Sequence, residues 1–135
     1  MNLTKPLLTA LAATATALLF ALPAQAETPA EQLARFSAAA GSAANPARGQ
    51  QFFTSTHGRE WSCSSCHGAV PVGPGKHAST GKVIGPMAPA ANAERFTDSA
   101  KTEKWFRRNC NDVVGRECTP IEKADLLAWL LTLKA

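Results

Sequence analysis

The run Cys63-Ser64-Ser65-Cys66-His67 constrains this chain more than any other feature. It is C-x-x-C-H, the attachment signature of a c-type haem. Two thiols at that spacing reach two vinyl groups on one edge of a porphyrin and form thioethers with them. The next residue, His67, then lies under the ring and offers an imidazole nitrogen to iron. A chain with this motif has to fold around a large, flat, apolar group. Two other chemistries also use paired cysteines. A thioredoxin-like redox pair sits in a βαβ setting, and no strand alternation surrounds this one. Tetrahedral zinc takes four ligands, whereas the remaining cysteines, Cys110 and Cys118, stand eight positions apart with no neighbouring histidine. The motif therefore predicts one covalently attached haem c, held by Cys63, Cys66 and His67.

Such attachment takes place outside the cytoplasm in bacteria, and the N-terminus agrees. Met1–Ala26 reads as a secretory signal peptide: Lys5 supplies the positive end, Leu7 to Leu22 the uncharged apolar stretch, and Ala24-Gln25-Ala26 the cleavage pattern. The apolar stretch is short for a span of ~20 residues, and Pro23 fits cleavage better than anchoring. The expectation is a periplasmic protein with a single cytochrome c domain over residues 27–135 and no membrane span after cleavage. A chain of 135 residues excludes a multidomain enzyme, a multi-pass membrane protein and a large α/β barrel. Its net charge of +4 comes without a dense Lys/Arg run, so nucleic acid is not expected as a partner. Loss of Lys5 and gain of two haem propionates make the mature protein less basic still.

The rest of the chain reads as all-α with a long irregular loop. Thr28-Pro29-Ala30-Glu31 is a capping box with proline at the first helical position. The helix it starts carries Leu33, Phe36 and Ala40 on one face and stops near Gly41. Asn45-Pro46 starts a second helix. There Gly49 and Phe53 lie four apart, a small residue beside an aromatic, which allows another helix to approach closely. Gly68 to Asn92 has no lasting period and is expected to wrap the haem. Asp98 or Thr102 caps a helix running to about Cys110, with Trp105, Phe106 and Asn109 grouped on one side. Thr119-Pro120-Ile121-Glu122 opens a last helix to about Lys134, with Ile121 or Ala124, Leu127, Leu130 and Leu131 as its core face.

The second axial ligand has several candidates. Gly85-Pro86-Met87-Ala88-Pro89 offers a thioether from a proline-rich loop, which would make a closed electron shuttle with His67 and Met87 as ligands. His57 and His77 also carry ring nitrogens, although His57 stands only six residues before Cys63. Asn109 has a carboxamide, and from its own position it reads equally as a polar residue near a helix end.

Taken with the haem motif, Pro86-Met87-Ala88-Pro89, Arg95-Phe96-Thr97-Asp98, Asn109-Cys110, Gly115-Arg116-Glu117-Cys118-Thr119 and Glu122-Lys123-Ala124-Asp125 resemble the sphaeroides haem protein (SHP) family of cytochromes c. The resemblance implies a fold like that of class I cytochromes c. It implies His67 as proximal ligand, Asn109 as a labile distal ligand, and a disulfide between Cys110 and Cys118. It further implies that the asparagine leaves reduced iron, so that O2, NO or CO can bind, and that a dihaem cytochrome c is the electron donor. Met87 then becomes a packing residue. Trp105 and Phe106 would line the distal side. Lys76, Lys82, Lys101 and Lys104 would form a basic rim that steers an acidic redox partner. No residue set suggests general acid–base catalysis. An iron site that opens is also compatible with haem oxidase, peroxidase or NO-detoxifying activity.

Overall fold

The computed structural model describes residues 26–135, so the expected signal sequence lies outside the described residues apart from Ala26. In chain order the elements are α1 (Pro29–Ala40), α2 (Pro46–Thr54), α3 (Cys63–His67), β1 (Gly75–Lys76), β2 (Val83–Ile84), α4 (Ser99–Val113) and α5 (Pro120–Thr132). The helix starts follow from local chemistry. Thr28 and Glu31 cap α1 reciprocally, Glu31 N donating to Thr28 Oγ1 at 3.2 Å and Thr28 N to Glu31 Oε2 at 2.6 Å. Gly41, at φ +64°, ends the helix in the left-handed region. Asn45 Oδ1 accepts from Ala47 N and Arg48 N at the start of α2. Asp98 rather than Thr102 caps α4, accepting from Lys101 N at 2.8 Å, while Thr102 is buried inside the helix. Thr119 and Glu122 repeat the capping box on α5.

Helix α5 is the centre of the molecule and packs against both α1 and α2. Every residue from Ala124 to Leu130 is buried. This corrects the expected one-sided face: Leu126 and Trp129 join the core, and Leu131 is exposed. A helix covered on two sides buries most of its circumference, so an apolar stripe of helical period underestimates its core. The α2–α5 crossing centres on Gly49, where a Cβ would collide with the backbone carbonyl of Asp125 and lie 2.8 Å from Leu126 N. The buried Asp125 carboxylate fastens the same crossing. It accepts from Arg48 Nε at 2.7 Å, from Arg48 Nη2 at 3.0 Å and from Asn45 N.

Helix α4 buries a narrow stripe, Thr102, Phe106 and Cys110, one turn apart. Phe106 meets Phe36 of α1 edge-on at 5.6 Å. Trp105 and Asn109 fall on the neighbouring stripe and are exposed, so they do not share a side with Phe106 as expected. The helix also runs three residues past Cys110, and α5 ends two residues before Lys134. The long loop contains one short antiparallel pairing, Gly75 with Ile84 and Lys76 with Val83. Two-residue strands are too short to show alternation in a sequence.

Two outcomes are expected. Gly49→Ala should destabilise the protein by at least about 1–3 kcal/mol in denaturant titrations, because the crossing leaves no room for a methyl group. Acid should also loosen the fold. Burial raises the Glu103 carboxyl, but hydrogen bonds from Lys123 and Arg35 outweigh it and hold the group below its ordinary value. Arg116 does the same for Glu122. A carboxylate lowered on folding stabilises above its unfolded pKa, about 4.3, and that contribution disappears as pH falls through the lower folded value. The denaturant midpoint should therefore drop on acidification across that range.

Candidate haem-binding site

The C-x-x-C-H run is itself the short helix α3. Ser62 N donates to Ser65 Oγ at 3.0 Å at its start, and Gly68 at φ +77° ends it. One helical turn puts Cys63 and Cys66 on one face, followed at once by His67. Both thiols are free and half-buried. Burial pushes the Cys63 thiol up to about 11. A redox-active C-x-x-C works with a lowered thiol, so the shift runs against the thiol–disulfide alternative.

His67 is half-buried, and its Nδ1 is fully buried without a hydrogen-bond partner. Burial, and then the positive charge of Arg95, hold its pKa below the usual histidine value, which favours the neutral imidazole. The other histidines are engaged. His57 Nε2 lies 2.7 Å from Phe52 O, with its ring tilted against that of Phe52 at 4.3 Å between centroids. His77 Nδ1 accepts from Thr80 N at 3.3 Å within its turn. Two free thiols on one turn, next to a neutral imidazole that the protein's own hydrogen bonds do not use, fit a covalently attached haem.

The long loop is stitched against this turn. A Cβ on Gly75 would collide with Cys66 O and lie 3.0 Å from His67 Cα. Gly75 pairs with Ile84, which places Gly85 and Pro86 beside the motif. Arg95 grips both of their carbonyls, Nε on Pro86 O at 2.8 Å and Nη2 on Gly85 O at 3.2 Å. Met87 N and Ala88 N both donate to the carbonyl of Pro71, four residues after His67, at 3.0 Å. The Met87 side chain packs against the hydrophobic core. Gly75 drew no notice in the sequence and Arg95 figured there only in the family resemblance, because their partners are backbone carbonyls, which leave no side-chain signature.

Asn109 lies on a separate element. Its side chain is exposed on α4, one turn after Trp105, which is 43 % exposed, and it makes no hydrogen bond to the haem-binding turn. The next residue, Cys110, is buried and bonded to Cys118, with their Cα atoms 5.7 Å apart. This bond ties the end of α4 to the start of α5. Arg107 and Arg108 are exposed; Arg108 lies over the Trp105 ring at 5.7 Å. Lys76, Lys82, Lys101 and Lys104 are exposed too.

Helical fold and haem-binding turn together define a c-type monohaem cytochrome. Residues 39–130 match a family described as a domain of unknown function (DUF1924). The chain is 53 % identical over 107 residues to the cytochrome c-type protein SHP of Cereibacter sphaeroides, covering 76 % of this chain and 82 % of that protein. It is 48 % identical over 80 residues to cytochrome c'' of Methylophilus methylotrophus, covering 59 % of this chain and 56 % of that protein. The structure of oxidised SHP, an oxygen-binding cytochrome c, matches with a TM-score of 0.75 at 51 % identity, over 80 % of this chain and 99 % of that one. Oxidised cytochrome c'' matches with a TM-score of 0.71 at 36 % identity, over 79 % of this chain and 95 % of that one. Its solution structure, described in terms of haem-ligand detachment, matches with a TM-score of 0.69. The chain belongs to this domain family and, among c-type cytochromes, to the SHP family.

Removing the Cys110–Cys118 link should lower stability. It closes a nine-residue loop, for which chain entropy gives about 2–3 kcal/mol. Denaturant unfolding of a Cys110→Ser/Cys118→Ser double variant beside the parent measures it.

Proposed function

We propose that this chain is a periplasmic monohaem cytochrome that accepts single electrons and binds O2 or another diatomic ligand at a position that Asn109 releases. Cys63 and Cys66 would hold the haem through thioethers, and His67 would offer its imidazole nitrogen to the iron. When bound, the haem would supply a one-electron iron centre able to take a small ligand. The observation that carries the reading is the setting of Asn109. Its carboxamide is exposed, while the adjacent Cys110 is buried and covalently anchored, so this side chain moves from a fixed base.

The chemistry of the side chain does the rest. A carboxamide oxygen is a hard, neutral, weak donor, better suited to ferric than to ferrous iron. Asn109 would therefore suit the oxidised iron better than the reduced one and be free to leave on reduction. Once released, its NH2 group still has two hydrogens to donate to a diatomic guest. His67 stays in place because α3 and the loop packed on it hold the turn. Met87, a core-packing side chain with its backbone tied to Pro71, keeps its packing role. That oxidised SHP is an oxygen-binding cytochrome c, and that cytochrome c'' is described in terms of ligand detachment, supports the same reading. Export follows from the Met1–Ala26 pattern. The electron donor is a dihaem cytochrome c, as in the family the sequence resembles, guided by the four exposed lysines.

Spectra of the purified holoprotein test this. The ferrous form should be high-spin and bind CO rapidly. Asn109→Ala should change the ferric spectrum strongly, and Met87→Ala should leave coordination intact. The reverse pattern, with a low-spin ferrous form indifferent to CO, would establish the closed His67/Met87 shuttle instead.

A further inference from the structure

Three helices meet at a half-buried cluster of charges on the inner side of α4. Lys123 of α5 is the central cation, with its side chain 15 % exposed. Its Nζ lies 2.6 Å from Glu103 Oε2 of α4. It also lies 5.6 Å from the ring of Phe36 on α1 and 5.7 Å from the ring of Phe106 on α4. The second Glu103 oxygen accepts from Arg35 Nη1 of α1 at 3.2 Å. Arg35 in turn lies 3.5 Å from Glu27. One carboxylate on α4 thus receives a cation from each of the two helices opposite.

This matters because α4 has few other attachments. The buried stripe of Thr102, Phe106 and Cys110 is its only buried face among the described residues. Phe106 supplies the aromatic contact and Cys110 the covalent one at the C-terminal end. Glu103 supplies the charged one, six residues before Asn109, or about 9 Å along the helix. Asn109 sits on the exposed stripe beside the buried one, on the flank away from Glu103. A rigid helix fixed at Glu103 and at Cys110 sets the height and rotation of Asn109 between those points.

We infer that Glu103, clamped between Arg35 and Lys123, is a positioning residue for the distal ligand: it fixes how closely α4 holds Asn109 and thereby how readily that ligand leaves. The inference rests on Asn109 being that ligand. Weakening the clamp lets α4 shift outward, loosens the ferric ligation and eases entry of a diatomic guest. The contact is indirect, so its signature belongs to the ligand exchange rather than to haem attachment.

The test uses holoprotein carrying Glu103→Gln and, separately, Lys123→Met, each also made in an Asn109→Ala background. Ferric spin state is read by absorption and electron paramagnetic resonance, CO association by stopped flow after reduction, and folding by thermal melting. Glu103→Gln and Lys123→Met should each move the ferric protein toward high spin and raise the CO association rate by about 2- to 30-fold. Both effects should largely vanish once Asn109 is gone. Folded variants with parental spectra and rates, or effects that persist undiminished without Asn109, overturn the inference. So does failure of both variants to fold, since the cluster is then a requirement of the fold rather than a setting of the ligand. An Asn109→Ala protein with an unchanged ferric spectrum overturns the ligand reading itself, a result separate from the others.

Discussion

Helix α5 crosses α2 at Gly49 with no space for a side chain, and the rest of the structure hangs on that crossing. Close approach brings Phe53 and Trp129 together at 4.9 Å and buries Phe53 completely. Phe53 in turn lies 6.3 Å from the His67 ring, so the crossing positions the wall on which the haem-binding turn rests. The Arg48–Asp125 pair fixes the rotation of the two helices. Its carboxylate is buried and also receives Asn45 N, so removing either side chain alone would strand a charge or a donor.

The same helix reaches the other side of the molecule. Cys118 lies just ahead of its first turn, and Lys123 lies in it; these are two of the attachments that hold α4. One central helix therefore reaches both regions: through α2 and Phe53 toward His67, and through Cys118 and Lys123 toward the helix that carries Asn109. Neither side chain belongs to α5. A packed helix resists bending more than a loop does, so both regions share one stiff frame.

The two sides differ in rigidity for physical reasons. The His67 side is crowded: Gly75 has no room for a Cβ, Pro71 is fully buried, and Arg95 binds the carbonyls of Gly85 and Pro86 just after β2. The Asn109 side presents exposed side chains on a helix with a single buried stripe. On the proposed reading, the crowded side would carry the permanent ligand and the open side the releasable one. A dedicated electron carrier would need both sides closed.

Much of this was legible in the residues. The capping boxes at Thr28 and Thr119, the cap at Asn45 and the close approach at Gly49 are local signals, and local hydrogen bonding and size decide them in any context. The C-x-x-C-H turn is likewise a matter of spacing within one helical turn. The misses were tertiary. Leu131 and Trp129 exchanged roles because burial of α5 depends on two flanking helices, which its own periodicity does not encode. Trp105 parted from Phe106 because one stripe of α4, not a broad face, meets its neighbours. By itself, then, the sequence determined the haem-binding turn, the helix boundaries near their caps and the family. Only the tertiary structure decided which face of each helix is covered, where Arg95 and Glu103 find their partners, and that the Asn109 side of α4 is left open. Those outcomes depend on contacts between residues far apart in the chain, and no local pattern carries them.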